Sequence, residues 1–436
     1  KARKPKPENV RFFPSCEAAR SSGLRPCRKC HPDDFARGAD PVLESVEQLA
    51  GEIRRNPAAF PEVSTVVRRS GFGATRLFEL FRQHYHTTPA DFLLRARLDE
   101  AKSGLLSHDR PIARLSAEAG FESISVFHEH FRQLNGIAPA VYRQLRSSRR
   151  FTISLPDGYP LGYLRRALSR DSQSATERLA GAVYTAVVEL TNGPAVLTLQ
   201  LSPSTIEVET SGGDAAEVHA LVIGLLGLDE DAPAFARLAK RLGLARLVGG
   251  RPELRISRTP SVFDGLLWSI IGQQINFAFA CVLKRRLIER VSPLLLDQLR
   301  APPTPGAIAA LEPADLLPLQ FSRPKAEYVI STARLIVEGK LNLTAFKQMS
   351  ATRAERTLLA IRGLGPWSVN YLMMRALGFQ DCVPLGDTGV ASGLKTLLRL
   401  EERPDIDATR RLMAMFSPHR SLATAHLWQL NQPTPT

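Results

Sequence analysis

The chain has 436 residues, 44% of them hydrophobic, and no apolar run approaches the ~18 residues that would span a bilayer, which excludes an integral membrane protein and predicts a soluble one. Its length predicts roughly two to four domains. A formal charge of +14, with 26 basic and 17 acidic side chains in residues 1–150, favours a polyanionic partner such as nucleic acid or anionic lipid. Five cysteines do not form a disulfide framework, so a reducing cytoplasm is expected.

Residues 1–38 are rich in Pro, Lys, Arg and Cys and predict a small loop-rich module. Cys27 and Cys30 have the spacing with which two thiolates reach one tetrahedral zinc ion. Such a site needs four ligands, and Cys16 and His31 are the other candidates nearby. A reduced surface pair of cysteines therefore remains the alternative.

The segment PENVRFFPSCEAARSSGLRPCRKCHPDD, residues 7–34, resembles the second half of the Ada metal-binding domain. That family carries two further cysteines upstream, one of which accepts a methyl group from a DNA phosphotriester. Cys27 and Cys30 match the downstream pair, and the other ligands are not in this chain. The resemblance implies zinc only where a longer natural chain supplies the upstream cysteines, and the start at Lys1 indicates a trimmed segment.

Residues 41–146 predict a helical domain with an internal repeat. In each unit an apolar helix meets Gly-Phe, a few small or polar residues follow, and an aromatic helix ends in Phe-Arg-Gln at 81–83 and 131–133. A glycine turn between short helices is typical of the helix-turn-helix, whose second helix enters the major groove of DNA.

The tandem repeat resembles the AraC-type DNA-binding domain. The resemblance implies recognition helices at about 74–83 and 123–133. The implied DNA contacts are Thr75, Arg76 and Arg82 in the first unit and Ser123, Ser125 and His128 in the second. Arg82 and Arg132 are equally compatible with phosphate contacts or solvated charges. The repeated phenylalanines, which we expect in the core, are Phe78, Phe81, Phe127 and Phe131.

Residues 151–258 predict an α+β domain, after a linker at 147–150. Phe151, Ile153 and Leu155 alternate with polar residues, as in a strand. The segments GAVYTAVVEL, AVLTLQLS and TIEVET repeat that pattern, and TNGP between the first two predicts a hairpin turn.

Residues 259–436 predict an all-helical domain that carries an unusual pair of features. In Gly363-Leu364-Gly365, two glycines let the backbone turn tightly and leave amides bare at the start of the next helix, where they can bind phosphate. The alternative is a simple tight turn. Asp387, 22 residues beyond Gly365, is either a helix N-cap, a functional carboxylate, or both.

Four segments of this domain resemble, in order, the helix-hairpin-helix glycosylase superfamily and specifically AlkA-type 3-methyladenine DNA glycosylases. They are WSIIGQQIN, GLGPWSVNYLMMRALG, PLGDTGV and SPHRSLATAHLW. By this resemblance Asp387 is the catalytic carboxylate, which stabilises an oxocarbenium-like sugar in the transition state. Trp428, Tyr371 and Trp367 form the pocket for a flipped base, although Trp428 also fits a core position. Gly363, Leu364 and Gly365 contact DNA, and Gln274 fills the gap left in the duplex.

The position two residues after Gly365 decides the class of glycosylase. Bifunctional members of the superfamily have a nucleophilic lysine there, whereas this chain has Trp367. A monofunctional glycosylase without lyase activity is therefore expected. No cysteine follows Cys382, so the iron–sulfur ligands of some relatives are absent, and the glycosylase requires no cofactor.

Together these segments predict a mainly α, multidomain DNA-repair protein that releases alkylated bases, 3-methyladenine and 7-methylguanine. Its expected partners are double-stranded DNA, both damaged and at promoters, and RNA polymerase, with no membrane partner. A bacterial cytoplasmic location at the nucleoid follows.

The rival hypothesis is a transcriptional regulator whose glycosylase half is a non-catalytic damage sensor. A phosphotriester methyl-transfer protein would need the upstream cysteines, and no alkylguanine methyltransferase motif occurs.

Overall fold

A computed structural model describes residues 10–26 and 40–432. The N-terminal part and the helix-turn-helix region contain α1 (Cys16–Ser21), α2 (Pro41–Arg55), α3 (Val63–Ser70), α4 (Ala74–Tyr85), α5 (Pro89–Ser107), α6 (Ile112–Glu118), α7 (Ile124–Asn135) and α8 (Pro139–Gln144). Helices α4 and α7 are the predicted recognition helices. A glycine follows α3 at Gly71 with φ 68°, and Gly120 has φ 95°, so both turns use the left-handed conformation that glycine adopts without strain.

The middle region forms one antiparallel sheet of five strands in the order β1-β5-β4-β3-β2. Its elements are β1 (Arg150–Ser154), α9 (Leu161–Leu168), β2 (Glu177–Ala180), β3 (Val183–Leu190), β4 (Gly193–Leu201), β5 (Thr205–Thr210) and α10 (Ala215–Leu226). The predicted hairpin is confirmed, because Leu190 pairs with Gly193 across the turn. Edge strand β2 was not predicted, since Glu-Arg-Leu-Ala lacks a clear apolar alternation.

The C-terminal region is helical, with one two-stranded ribbon. Its elements are α11 (Ala232–Arg241), α12 (Ala245–Val248), α13 (Val262–Ile271), α14 (Phe277–Val291), β6 (Leu294–Leu296), β7 (Leu299–Arg300), α15 (Pro305–Ala309), α16 (Pro313–Leu316), α17 (Arg323–Val337), α18 (Ala351–Leu359), α19 (Pro366–Arg375), α20 (Thr388–Leu398), α21 (Ile406–Met413) and α22 (Arg420–Gln429). The predicted fold class, a mainly helical chain with a small sheet, is confirmed. The prediction that residues 259–436 are all-helical was wrong in one place, because β6 and β7 pair as an antiparallel ribbon.

The hydrophobic cores cross the predicted domain bounds. Phe127, Phe131 and Tyr142 of the second helix-turn-helix unit share one cluster with Phe151 and Ile153 of the sheet. The cluster that fills the C-terminal region also takes in residues 235–256, ahead of the predicted start at 259. The proposed domain boundaries therefore mark changes of sequence pattern. They do not separate hydrophobic cores, because buried residues on either side of them pack together.

The repeated phenylalanines divide into two groups. Phe81, Phe127 and Phe131 are buried as predicted. The prediction for Phe78 was wrong, because its side chain is 45% exposed and lies under the guanidinium of Arg82, 5.0 Å from the ring centroid.

Helices α2 and α4 pack against α18 of the C-terminal region. Ser350 donates to the carboxylate of Glu47 at 2.7 Å, and Arg353 pairs with the same carboxylate through its guanidinium. His84 Nδ1 lies 2.8 Å from the Thr352 hydroxyl. These contacts hold the first unit at the N-terminal end of α18, and the 363–365 hairpin follows the other end of that helix.

Candidate active site

A large cleft separates the sheet region from the C-terminal helices. Its volume is about 1450 Å³, and its walls come from α9 on one side and from the 363–367 and 385–389 segments on the other. The residues proposed for catalysis and base binding all line it, as do the hairpin and Gln274. The proposed site residues alone lie up to 154 residues apart along the chain (Gln274 to Trp428), and the fold gathers them into one concave site.

Asp387 is the N-cap of α20, and both of its carboxylate oxygens receive hydrogen bonds. Oδ1 accepts from the backbone N–H of Val390 at 2.9 Å and from Nε1 of Trp428 at 2.9 Å. Oδ2 accepts from Nε1 of Trp367 at 3.2 Å. A carboxylate offers about four acceptor positions, so a position on Oδ2 remains for water or a substrate. The two interpretations of Asp387, helix cap and carboxylate facing a cleft, hold together.

Three aromatic side chains form a wall beside this carboxylate. The ring of Tyr371 stacks on Trp367, with centroids 5.3 Å apart and planes 18° from parallel. Trp428 lies 6.3 Å from Tyr371, tilted by 45°. Tyr371 is nearly buried, whereas both indoles are partly open to the cleft. The wall presents aromatic faces next to the acidic group, which suits a planar ligand.

Gly389 allows Trp428 to approach Asp387. A Cβ atom at Gly389 would lie 2.8 Å from Cδ1 of Trp428 and 3.0 Å from Oδ1 of Asp387. The missing side chain thus leaves the space in which the indole reaches the carboxylate.

An ion pair anchors the helix that carries Trp428. Nε and Nη2 of Arg420, at the start of α22, donate to the two oxygens of Asp381 at 2.7 and 2.9 Å. Although burial opposes ionisation of Asp381, the bonds from Arg420 hold the pKa of that carboxyl below its ordinary value. The pair joins α22 to the loop that leads to Asp387.

The glycine hairpin is shaped by close packing on Tyr328. Gly363 has φ 95°, and a Cβ there would lie 2.4 Å from Cγ of the Tyr328 ring. Leu364 is buried, and α19 starts at Pro366 immediately after Gly365. Pro366 has no N–H, so the N–H groups of this first turn that lack a carbonyl four residues back within the helix are those of Trp367 and Ser368. A helix start of this kind is suited to a phosphate.

Replacing Gly363 by alanine is expected to distort the hairpin, because the new methyl group must displace the Tyr328 ring and the backbone keeps a positive φ. Strain of this kind costs about 1–3 kcal/mol. We expect a lower Tm together with weaker binding to duplex DNA, measured by thermal denaturation and fluorescence anisotropy. Gly365→Ala is the control for stability, because nothing lies within 4 Å of its Cβ position and its φ is ordinary. An unchanged Tm for Gly363→Ala would contradict the packing argument.

Gln274 follows α13 in an exposed turn. Its φ of 54° lies in the left-handed region, which few residues other than glycine adopt. The preceding residue, Gln273, donates from Nε2 to the carbonyl of Gly363 at 2.7 Å and to Oγ of Ser368 at 2.9 Å. The turn and the hairpin are therefore tied to each other.

The predicted contacts of the two recognition helices are mostly at the surface. Thr75, Arg76, Ser123 and Ser125 are exposed, and His128 is partly buried. Arg76 pairs with Glu79 at 3.2 Å. Ser123 precedes α7 and caps it, accepting from the N–H of Val126. Arg82 is partly buried, and burial lowers the pKa of its guanidinium.

The predicted metal ligands Cys27 and Cys30 lie outside the described residues. Among residues 10–26 and 40–432, no group of three or more His, Cys, Asp and Glu side chains could hold a metal ion. In the same part of the chain, no helix is long and apolar enough to cross a bilayer.

Three segments match known protein families. Residues 267–418 match the HhH-GPD superfamily of base excision DNA repair proteins. Residues 66–145 match the helix-turn-helix domain, and residues 1–33 match the metal binding domain of Ada. A DNA-3-methyladenine glycosylase of Bacillus subtilis is 33% identical over 207 residues, or 47% of this chain and 68% of that protein. This chain belongs to the DNA-3-methyladenine glycosylase family.

Two other relatives extend the likeness. A probable bifunctional transcriptional activator/DNA repair enzyme AlkA of Mycobacterium tuberculosis is 25% identical over 98% of this chain and 88% of that protein. The structure of the 3-methyladenine DNA glycosylase of Archaeoglobus fulgidus has the same fold, with a TM-score of 0.57 and 21% identity over 64% of this chain and 97% of that one. The predicted order of Ada-type, AraC-type and AlkA-type segments is confirmed, so this glycosylase is a base-excision repair enzyme joined to a DNA-binding helix-turn-helix domain.

Several residues of the glycosylase site were not found from the sequence. Gln273 and Lys325 fix the turn that carries Gln274, and Gly389 makes room for Trp428. Arg170, which follows α9, lies over the ring of Phe277 at the cleft, 4.3 Å from its centroid. Gly389 and Gln273 had a visible signal, since they lie in the PLGDTGV and WSIIGQQIN segments, two residues after Asp387 and directly before Gln274.

Proposed function

We propose that Asp387 is the catalytic residue for hydrolysis of the N-glycosidic bond of alkylated purines, with 3-methyladenine and 7-methylguanine as substrates. The Asp387 carboxylate accepts hydrogen bonds from three donors at the edge of an aromatic cleft, which fixes its position. Departure of the base leaves positive charge on the sugar, and a preorganised carboxylate stabilises that charge in the transition state. The remaining acceptor position on Oδ2 serves to orient the attacking water.

The aromatic wall of Trp367, Tyr371 and Trp428 receives the extruded base. A glycosylase must take its target out of the base stack, and aromatic faces recover part of the lost stacking energy. A purine alkylated at a ring nitrogen carries formal positive charge, which adds a cation–π attraction. The tilt between Tyr371 and Trp428 leaves their faces at an angle rather than stacked on each other.

Gly363, Leu364 and Gly365 bind the DNA backbone, and Gln274 enters the gap that the base leaves. Support comes from the start of α19, which has no side-chain cap, and from the exposed position of Gln274 beside the hairpin. Contacts to phosphate position the duplex without reading its sequence, as repair of scattered lesions requires.

The activity is expected to be monofunctional, because Trp367 occupies the place of the lysine nucleophile and donates its indole N–H to Asp387. With an alkylated duplex, we expect free methylated base and intact strands that break only after alkali treatment. Borohydride should trap no protein–DNA adduct, since a Schiff base needs an amine. Strand cleavage by the protein alone, or a trapped protein–DNA adduct, would contradict the monofunctional assignment. Absence of base release would refute the proposed enzymatic activity itself.

The helix-turn-helix units bind promoter DNA through residues of α4 and of α7 with its N-cap, namely Thr75, Arg76, Arg82, Ser123, Ser125 and His128. The description of the M. tuberculosis relative as a transcriptional activator supports promoter binding with RNA polymerase as a partner, in the cytoplasm at the nucleoid. The match of residues 1–33 to the metal binding domain of Ada supports zinc at Cys27 and Cys30.

A further inference from the structure

Lys325, in the first turn of α17, contacts the turn that presents Gln274. We propose that Lys325 is a positioning residue for base extrusion, which holds Gln274 ready to enter the duplex. The inference rests on the proposed role of Gln274 and adds a residue outside the four segments that resemble known glycosylases. Gln274 itself has no side-chain bond among the contacts of the described residues, and its backbone is held in a conformation that few non-glycine residues adopt.

Two carbonyl groups accept hydrogen bonds from the ammonium group of Lys325. Nζ lies 2.5 Å from the carbonyl oxygen of Ile271, the last residue of α13, and 2.6 Å from that of Gln273. The C-terminal carbonyls of a helix lack partners within the helix and carry partial negative charge, so a cation stabilises them. Burial lowers the pKa of Lys325, because removing the ammonium group from water disfavours its charged form.

A second set of hydrogen bonds links the turn to the 363–365 hairpin and to α19. The side-chain amide of Gln273 donates to the Gly363 carbonyl and to the Ser368 hydroxyl, and the Ser368 hydroxyl donates to the carbonyl of Ser269 at 3.1 Å. Gln273 is thus fixed through its backbone by α17 and through its side chain by the hairpin. A strained residue persists where the surrounding structure over-determines it, and Gln274 follows directly after this doubly fixed residue.

This arrangement acts on the step that extracts the base. A side chain that fills the gap in the duplex stabilises the extruded state, and it does so best when its backbone is ordered beforehand. If Lys325 is lost, the turn has other conformations to adopt, and extrusion from a paired site becomes harder. A target base with no pairing partner is extruded at lower cost, so its release depends less on Gln274 and on Lys325.

The other role open to Lys325 is a direct phosphate contact, because the residue lines the cleft. The two roles differ in their salt dependence. Loss of a phosphate contact weakens DNA binding and lowers the slope of log K against log salt by about one unit. Loss of a positioning residue leaves that slope unchanged, because the ammonium group binds protein carbonyls instead.

The test measures single-turnover release of 7-methylguanine from two duplexes, with cytosine or an abasic-site analogue opposite the lesion. For Lys325→Met we expect release from the paired duplex to fall roughly tenfold, and release from the unpaired duplex to change less than about threefold. In a Gln274→Ala background, Lys325→Met should have no further effect on the paired duplex, because the residue it positions is gone. Lys340→Met, at a 68% exposed lysine paired with Glu338, is the matched control.

Equal losses on both duplexes, additive effects of the two substitutions, or a reduced salt slope would each overturn the inference. Should Lys325→Met fail to fold, Lys325→Gln retains a donor without the charge and is expected to give a smaller loss confined to the paired duplex. Absence of release by the unsubstituted protein would instead refute the proposed function, so the two failures are distinguishable.

Discussion

Asp387→Asn is expected to reduce release of alkylated bases by about 10²- to 10³-fold while leaving DNA binding intact. The substitution removes the negative charge that stabilises the sugar cation, and loss of one electrostatic contact of this kind costs on the order of 10²- to 10³-fold in rate. The fold should survive, because asparagine caps helices as well as aspartate does and its amide oxygen can still accept from Val390. Release of free base is measured by chromatography, and binding by anisotropy with an abasic-site duplex.

Asp405→Asn is the matched control for this experiment. Asp405 is the N-cap of α21, where it accepts from the N–H of Ala408 at 2.7 Å, and it is exposed. The same chemical change at a cap outside the cleft should leave release unchanged. Asp387→Ala, which removes the cap as well, should lose a further ~1 kcal/mol of stability. Substantial release by Asp387→Asn would exclude Asp387 as the catalytic carboxylate.

Gly389→Ala is expected to lower the rate of base release roughly 10- to 100-fold. The methyl group would occupy the space of the Trp428 edge beside Oδ1 of Asp387, so the indole must withdraw and its hydrogen bond breaks. Hydrogen bonds to charged groups contribute about 1.5–3 kcal/mol, and withdrawal of the ring also weakens the aromatic wall. Single-turnover kinetics on an alkylated duplex would show the loss.

Gly51→Ala separates this effect from a general response to alanine. Gly51 lies within α2, has an ordinary φ, and has nothing within 4 Å of its Cβ position. Alanine there should keep full activity and raise stability slightly, since alanine favours helix. An active Gly389→Ala protein would show that the bond between Trp428 and Asp387 is dispensable for release.

The arrangement of the two DNA-binding parts bears on how they work together. His84 of the first helix-turn-helix unit contacts Thr352 at the N-terminal end of α18, where α2 also binds Ser350 and Arg353 through Glu47. The unit also contacts the loop after α19, where the N–H of Asp381 donates to Nδ1 of His86 at 3.2 Å. The hairpin joins the opposite ends of the same two helices. The helix-turn-helix unit therefore docks away from the glycine hairpin.

The sequence by itself determined the class of each segment. Period-2 alternation predicted four of the five strands of the sheet, the repeated Gly-Phe turn predicted two helix-turn-helix units, and the resemblance carried by four short segments in order indicated the glycosylase. Helix, strand and turn patterns can be recognised in the sequence because they depend on residues close together in the chain. Asp387 and Trp428 were proposed in this way, through resemblance, although 41 residues separate them.

Only the tertiary structure decided how those segments meet. The sequence could not show that Phe131 packs into the same core as Ile153, that Phe78 stays exposed, or that Lys325 reaches the carbonyl of Gln273 from a helix about 50 residues away. It offered two roles for Asp387, and the structure accommodates both, with one oxygen capping α20 and both accepting from indoles. Burial and hydrogen bonding between distant residues depend on how helices pack, and that packing is a property of the whole chain rather than of any local pattern.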